Sequence, residues 1–309
     1  MSLRLNACPA GRINIHGAAS GLPVFEMSSA DAGNTWLRED GPALDGVDVY
    51  LAADSDAAGA AVHLVFATYA SNRMQYVKRT LPADGQAGAW HTETFTNRKT
   101  AQHYFKGFDV AVDSTGTPHV VYGLQYASSQ DVYWSAELWH CRPENGGWSN
   151  ELVATRAAAT LDAAFHNPQA AWRDGVPVIV AHLRYNVMTG SDAGSQLFCA
   201  RLDGIAGWQT ELIAQRSDGY AGSDGDIFTG LSPDLAVDSA GRIHVSFSDL
   251  ASWHVGGYQQ AWMGQMRYAV HAGSWQLSVP FPQDAAAHEA LGRSIVLPTV
   301  SGDEMAFVG

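Results

Sequence analysis

The chain has few lysines and no long apolar run, whereas many lysines are typical of nucleic-acid-binding proteins and long apolar runs of membrane-spanning proteins. It contains only three lysines, and its 31 acidic against 18 basic residues give a net charge of −13, which would repel a phosphate backbone. No apolar run approaches the roughly 18 residues that a membrane span needs, and the start lacks the apolar core of a signal peptide. We therefore expect a monomer that is soluble and cytoplasmic as given, or secreted if the chain is a processed form, without nucleic acid or membrane as a partner.

Cysteine is equally scarce. Cys8, Cys141 and Cys199 are odd in number and scattered, and no C-x-x-C pair exists. This pattern favours reduced core thiols over a disulfide framework or a metal site. With 309 residues, of which 46% are hydrophobic, the chain can bury a large core, and we expect a single domain over residues 1–309.

What the sequence does contain is a repeat. The stretches "FDVAVDSTGTPHVVY" from Phe108 and "PDLAVDSAGRIHVSF" from Pro233 each show an apolar strand, an Asp-Ser-x-Gly turn and a second strand with a histidine. Weaker copies begin at Val47 and Pro168. A third alternating segment and a Gly-rich turn with a tryptophan follow each copy. The repeated tryptophans are Trp36, Trp90, Trp148, Trp208 and Trp275, and we interpret the histidines at the shared position, His63, His119 and His244, as structural.

Four short strands per repeat predict an all-β fold, namely a β-propeller of four-stranded blades. Five tryptophan-bearing hairpins stand against six candidate first hairpins. We favour five blades, with the ring closed by pairing of a C-terminal hairpin, residues 295–308, with residues 24–38; residues 3–16 are then an extra hairpin. Six blades, the last one incomplete, are the alternative.

The octet "SADAGNTW" from Ser29 to Trp36 fits the pattern S-x-D-x-G-x-T-W at every fixed position. Together with the repeats it resembles the Asp-box (BNR) superfamily, the sialidase-like β-propellers. The resemblance implies a turn between the third and fourth strands, held by Asp31 and Thr35, with Trp36 packed into the blade. That superfamily includes sialidases, other glycan-active enzymes, lectins and receptor domains, so it implies architecture better than reaction. No F-R-I-P-like stretch is present near the N-terminus, so a typical sialidase is not expected.

Three acids begin first strands at what looks like one repeat position: Asp48, Asp109 and Asp234. First strands of a propeller line the central channel, so these carboxylates would converge there. Like charges raise one another's pKa, which lets one carboxyl donate a proton while another stays ionised. We predict them as catalytic residues; the alternative is that each one forms an ordinary turn.

Long loops and strand ends on the same face carry aromatic, acidic and basic side chains that suit sugar rings and hydroxyls. The predicted ligand-binding residues are His103, Tyr104, His166, His182, Arg184, Tyr185, Asp224, Asp249, Trp253 and His254. The acid-rich loop "SDGYAGSDGD" could bind Ca²⁺, but it lacks the spacing of a calcium loop. The sequence therefore requires no metal or other cofactor.

These features predict a glycan-active enzyme of the glycoside hydrolase or polysaccharide lyase type, with one site at the mouth of the central channel. The ligand is expected to be a carbohydrate or another small polar molecule. Neutral sugars are favoured over anionic ones unless Arg184, Arg293 or Lys106 offsets the acids. The alternatives are a lectin-like propeller without catalysis and a protein-interaction scaffold. Loops that differ from blade to blade favour a single site over a lectin's repeated pockets.

Overall fold

The computed structural model describes residues 2–7, 13–18, 23–29, 31, 33–43, 49–56, 60–68, 72–80, 88–100, 103–127, 134–156, 162–186, 194–215, 227–255 and 258–278. Within these ranges the chain forms twenty β-strands. They are β1 (Ser2–Ala7), β2 (Ile13–Ala18), β3 (Pro23–Ser29), β4 (Leu37–Ala43), β5 (Val49–Ser55), β6 (Ala61–Thr68), β7 (Arg73–Thr80), β8 (Trp90–Thr96), β9 (His103–Val112), β10 (Pro118–Ala127), β11 (Trp134–Glu144), β12 (Gly147–Arg156), β13 (Asp162–Arg173), β14 (Val176–Asn186), β15 (Gly194–Asp203), β16 (Gly207–Gln215), β17 (Ile227–Val237), β18 (Ile243–Val255), β19 (Tyr258–His271) and β20 (Trp275–Ser278).

The strands form five antiparallel sheets of four, each ordered as the chain runs: sheet 1 is β1–β4, sheet 2 is β5–β8, sheet 3 is β9–β12, sheet 4 is β13–β16 and sheet 5 is β17–β20. The all-β prediction is confirmed, and the five sheets are consistent with a propeller of about five blades. The chain divides into two compact units, residues 1–121 with 140–151 and residues 122–139 with 152–309. Sheets 1 and 2 belong to the first unit, sheets 4 and 5 to the second. A single domain and a closed ring remain predictions.

The N-terminal hairpin is part of sheet 1, so the prediction that residues 3–16 form an extra hairpin is wrong. β1 pairs with β2, and β2 pairs with β3, where Ile15 lies opposite Met27. The other edge of β3 pairs with β4. Because β3 has partners on both edges, a C-terminal hairpin cannot pair with it as predicted. Residues 295–308 lie outside the described part of the chain.

The predicted Asp-Ser-x-Gly turn joins the first and second strands of sheets 3 and 5. In sheet 3 the Asp113 amide donates to the Thr117 carbonyl at 3.0 Å, and Gly116 has a φ of 81°, a conformation that glycine adopts without steric cost. The turn of sheet 5 repeats the bond at 3.0 Å and the left-handed glycine, with Asp238, Arg242 and Gly241. The two sequence copies therefore fold alike.

Each repeated histidine bonds a side chain on the third strand of its sheet. His63 Nδ1 lies 2.8 Å from the Tyr76 hydroxyl, and His244 contacts the Tyr268 hydroxyl in the same way. In sheet 3 the partner is another histidine, His140, with 2.8 Å between the ring nitrogens. These contacts support the structural interpretation of the three histidines, since each ring already has a partner inside its own sheet.

The Asp-box octet forms the turn between β3 and β4, as predicted. Asp31 Oδ1 accepts the Thr35 amide at 2.8 Å, and Oδ2 accepts the Thr35 hydroxyl at 2.7 Å. These bonds, the backbone one first, lower the pKa of the Asp31 carboxyl to about 2. The Trp36 indole donates to the Gly33 carbonyl at 3.0 Å, and its side chain is 38% exposed. The expectation that Trp36 packs into the sheet is therefore wrong, while membership of the Asp-box superfamily stays a prediction.

The five repeated tryptophans all stand at the start of a fourth strand, which confirms their predicted equivalence. Three of them pack against the preceding sheet. The Trp148 ring stacks on Phe95 of sheet 2 at 4.1 Å between centroids, Trp90 packs on a core cluster that includes Val24 of sheet 1, and Trp275 packs on the cluster shared by sheets 4 and 5. Aromatic burial of this kind joins successive sheets.

A buried ion pair reinforces the contact between sheets 1 and 2. The Arg79 guanidinium on β7 contacts the carboxylates of Glu26 and Glu39 and lies over the Trp90 ring at 5.3 Å. Arg79 and Glu26 are 4% and 1% exposed. A buried pair contributes little net stability, but removal of one partner leaves the other charge uncompensated.

We predict that Arg79→Met lowers the free energy of unfolding by about 3–5 kcal/mol, because Glu26 would keep a buried charge without its cation. Urea denaturation measures the loss. Arg38→Met is the matched control, since Arg38 pairs with Asp40 at 2.9 Å through side chains that are 61% and 56% exposed; its cost should stay below about 1 kcal/mol. Equal losses in the two variants would contradict the role given to Arg79.

Candidate functional site

The described part of the first unit contains three of the predicted site residues. His103 and Tyr104 begin β9, and both side chains are half-buried. His103 Nδ1 lies 2.8 Å from the Thr100 hydroxyl and accepts the Thr100 amide at 3.2 Å. Asp109 lies further along β9. Asp48 and Asp224 lie outside the described residues, as do the side chains of Tyr185, Trp253 and His254, whose backbones belong to β14 and β18.

The strand register corrects the repeat position of Asp48. In sheet 2 the amide that bonds across the first turn belongs to Asp56, which donates to the Ala61 carbonyl at 3.1 Å. Asp56 therefore corresponds to Asp113 and Asp238. The residue four before it, which matches Asp109 and Asp234, is Ala52 and not Asp48. The predicted equivalence of the three acids is wrong; their convergence and their catalytic role stay predictions.

Another acid, Asp54 of β5, interacts electrostatically with Asp109. Asp54 Oδ2 accepts the Val112 amide of β9 at 2.7 Å, and Oδ1 accepts the Ser55 amide at 2.8 Å. Desolvation raises the pKa of the Asp54 carboxyl to about 7; the two backbone bonds oppose the shift, and the charges of Asp109 and Asp56 add to it. Asp54 thus joins two first strands by a carboxyl group that titrates near neutral pH.

In the second unit, two of the predicted ligand-binding residues face each other. His166 on β13 lies directly opposite His182 on β14, and their ring centroids are 5.7 Å apart. His166 is half-buried, whereas His182 is buried. The register of β13 shifts between His166 and Gln169, and Asn167 has a φ of 46°. Bulges of this kind re-aim side chains and are common next to active sites.

Ser195 connects this histidine pair to sheet 5. Its hydroxyl donates to the Thr229 carbonyl at 2.8 Å, accepts the Thr229 amide at 2.9 Å and lies 2.7 Å from His182 Nε2. A hydroxyl has one proton, and Ser195 uses it to donate a hydrogen bond to the Thr229 carbonyl. His182 Nε2 must therefore carry its own proton and donate it to Ser195. The backbone of β17 and the ring of His182 are held by one buried side chain.

Asp249 lies on β18 opposite Gln265, one residue beyond Ser248, which is opposite Met266 and matches the place of His182 in sheet 4. Asp249 is fully buried, and Arg267 Nη1 donates to its Oδ2 at 3.0 Å. Desolvation raises the pKa of the Asp249 carboxyl, although Arg267 opposes the shift. We refer to His166, His182, Arg184, Ser195, Thr229, Asp249 and Arg267 as the histidine cluster.

The charge states within the histidine cluster follow from burial. Desolvation, followed by the charges of His166 and Arg184, lowers the pKa of the His182 imidazole to about 3, so the ring is neutral at physiological pH. Arg184, two residues further along β14, has an exposed side chain. The cluster thus offers ligands a half-buried imidazole and an exposed cation, backed by groups that fix their positions.

Sequence reasoning found His166, His182, Arg184 and Asp249 but missed Ser195, Thr229 and Arg267. Arg267 carried a signal: it is one cation in an otherwise apolar third-strand segment, "MRYAV", and buried cations are normally paired. Ser195 follows a Gly- and Ser-rich stretch typical of a loop. Thr229 acts through its backbone, which residue type does not reveal.

Sheet 4 contacts the strands on its two sides at positions where the backbones come very close together. A Cβ on Gly230 would lie 2.6 Å from Leu197 Cβ, and one on Gly123 would lie 2.0 Å from the Phe165 carbonyl oxygen. Both positions therefore require glycine. Gly230 lies within the bulge of β17 next to Thr229, so its small size lets sheet 5 approach the histidine cluster.

The described residues offer no group of three or more His, Cys, Asp or Glu side chains that could hold a metal ion. Cys141 and Cys199 are buried free thiols, as predicted, and burial raises the pKa of each to about 12. Cys8 lies outside the described residues. In the same part of the chain, no helix is long and apolar enough to cross a membrane.

No family model matches the chain, and no curated protein matches it in sequence. Solved structures do match it in fold. The chain is similar to the polysaccharide lyase Uly1, with a TM-score of 0.53 and 11% identity over 90% of this chain and 72% of that one. The fold is shared with glycan-active propellers. At this identity the similarity shows the fold alone.

Two further solved structures are similar at lower scores. One is an exo-1,5-α-L-arabinanase from a bovine ruminal metagenomic library, with a TM-score of 0.45, 13% identity and 92% and 96% of the two chains covered. The other is the Aleuria aurantia lectin in complex with Fucα1-6GlcNAc, with a TM-score of 0.48, 13% identity and 95% and 84% covered.

We predict that Asp54→Asn changes stability in a pH-dependent way. The native pKa of about 7 lies above the ordinary carboxyl value, so the stability contributed by protonated Asp54 is complete below about pH 4 and is lost as the pH rises through 7. The asparagine cannot ionise, so the variant should gain stability relative to the wild type between pH 5 and pH 8. Urea denaturation at both pH values measures this.

Asp203→Asn serves as the control, because Asp203 is an exposed residue at the end of β15 whose pKa is lowered by the amides of Ala206 and Ile205. It stays ionised from pH 5 to pH 8, so its effect on stability should be constant over that range. An equally constant offset for Asp54→Asn would show that Asp54 does not titrate there.

Proposed function

We propose that this protein is a glycan-active enzyme whose reacting groups lie in the histidine cluster of the second unit. The observation that carries the proposal is the pairing of half-buried His166 with neutral, buried His182, next to the exposed guanidinium of Arg184. A site of this kind combines a proton-transfer group with a fixed cation. The proposal includes the prediction that the histidine cluster lies at the mouth of a central channel.

The composition of the cluster favours elimination over hydrolysis. Glycoside hydrolysis normally uses two carboxyl groups that flank the scissile bond. Among its described side chains the cluster has one, Asp249, which is buried and paired with Arg267. An imidazole beside a guanidinium suits a uronate: Arg184 would bind the carboxylate and stabilise the charge that develops when the adjacent proton leaves.

The proposed reaction is β-elimination. His166 takes the proton from C5 of a uronate residue, the electrons form the C4–C5 double bond, and the C4–O bond breaks. The departing oxygen takes up a proton from solvent or from the site. His182 does not exchange protons in this scheme, because its pKa is about 3; it positions His166, and Ser195 holds it in one tautomer.

The fold comparison supports a polysaccharide as the substrate class, since the structure with a TM-score of 0.53 is that of a polysaccharide lyase. A second candidate is a carbohydrate-binding protein without catalysis. The burial of His182 and Ser195 favours it, because neither group is open to a ligand. Neither function needs a metal in the described cluster, and the monomeric state stays a prediction.

The test is a screen of polysaccharides with and without uronate residues, followed by two assays. Elimination produces a double bond conjugated to a carboxylate and therefore ultraviolet absorbance, whereas hydrolysis produces reducing ends alone. We predict absorbance with at least one uronate polymer. His166→Gln should lower kcat by about 10²–10⁴-fold, and Arg184→Met should mainly lower kcat/KM.

His91→Gln is the matched control, because His91 is an exposed imidazole on β8 that pairs with Glu93 at 2.8 Å; it should retain full activity. Reducing ends without absorbance would replace elimination by hydrolysis. Binding of a glycan without any product would favour the carbohydrate-binding candidate. Full activity in His166→Gln would rule out the histidine cluster as the reacting centre.

A further inference from the structure

The segment between β8 and β9 is unusually basic for this chain. Two of the three lysines, Lys99 and Lys106, fall within nine residues of Arg98 in the stretch "TNRKTAQHYFKGFD". The protein as a whole carries a net charge of −13. A local concentration of cations on an acidic protein marks a place where a negatively charged group can approach.

The start of this segment is held in place by its own hydrogen bonds. The Asn97 backbone amide donates to the Asn72 carbonyl at 2.9 Å, which ties the segment to the residue directly before β7. Asn97 Oδ1 accepts the Lys99 amide at 2.7 Å. Because Oδ1 must be the acceptor of that N–H group, the orientation of the side-chain amide is fixed, and Nδ2 points away from the Lys99 backbone.

One donor of this segment has no acceptor among the described residues, and a largely buried lysine lies two residues away. Asn97 is 4% exposed, and its Nδ2 makes no hydrogen bond there. Lys99 is 9% exposed, no described carboxylate pairs with it, and desolvation lowers the pKa of its ammonium group. A buried donor without an acceptor is costly, so the Asn97 amide, two residues from the Lys99 ammonium, marks a place that a group rich in acceptor atoms would stabilise.

We propose that Asn97 and Lys99 form an anion-binding subsite for the sulfate or carboxylate group of a glycan. Both anions present acceptor atoms only, which matches an ammonium with three donors and an amide with a free N–H pair. The subsite belongs to the first unit and shares no residue with the histidine cluster. It therefore goes beyond the proposed reaction and can fail or hold independently of it.

The experiment measures binding of sodium sulfate and of methyl β-glucuronide by calorimetry at constant ionic strength, with methyl β-glucoside as the neutral probe. The wild type should bind at least one anion and not the glucoside. Lys99→Met keeps the apolar stem but removes the charge, and it should weaken anion binding at least tenfold. Asn97→Asp keeps the acceptor for the Lys99 amide but replaces Nδ2 by a charged oxygen, and it should abolish binding.

Lys78→Met is the control, because it removes one lysine from β7, opposite His91 and away from the end of β7 that adjoins Asn97; its anion affinity should equal that of the wild type. Lys99→Arg retains a cation and should bind within about threefold of the wild type, which separates loss of charge from loss of fold. Tighter binding of sulfate than of glucuronide would identify a sulfated glycan, and the reverse a uronate. Absence of anion binding in the wild type, or equal losses in Lys78→Met and Lys99→Met, would overturn the proposal.

Discussion

The structure depends on the need of each four-stranded sheet to bury its apolar faces against a neighbouring sheet. A sheet with apolar faces must bury them against another element, and its polar side chains need partners in the same contact. Outer-strand glutamates provide one repeated solution. Glu39 contacts Arg79 of the next sheet, Glu93 accepts the Trp148 indole at 3.1 Å, and Glu211 lies 3.9 Å from His271. Each glutamate thus contacts the next sheet close to the repeated tryptophan of that next sheet.

The first strands of neighbouring sheets also pack against one another, and these contacts involve the backbone. β5 packs against β1 and β9 in the first unit, and β17 packs against β13 in the second. Asp54 and Ser195 each bond the backbone of the next sheet's first strand. The histidine cluster is thus a consequence of sheet packing. Ser195 joins sheet 4 to sheet 5 and also bonds His182, and the ring of His182 contacts that of His166.

The repeating parts of the fold were predictable from the sequence, because local turn chemistry and tryptophan spacing recur. The error at Asp48 has a simple cause. Side chains alternate along a strand with a period of two, so a shift of four residues keeps every residue on its face. The segment around Asp48 therefore looks like "FDV" around Asp109, and only the bond from Asp56 to Ala61 reveals the register.

The candidate site was predictable only in part. His182 and Asp249 are visible as polar residues in apolar strands, but only the pairing with β15 and β19 shows that they stand one residue apart in the repeat. The role of Thr229 depends on a bulge, where Ser232 also adopts a φ of 47°. Single-sequence patterns do not locate bulges, since the extra residue changes neither composition nor local polarity.

The central claim is that the ligand-facing groups lie on β13 and β14. Hydrogen–deuterium exchange with and without uronate oligosaccharides tests it most directly, because a bound glycan slows exchange of the backbone that it covers. We predict slower exchange in peptides that span residues 162–186, with no change in the outer strands β4, β8 and β16. Protection confined to the outer strands, or exchange that no oligosaccharide alters, would contradict the assignment.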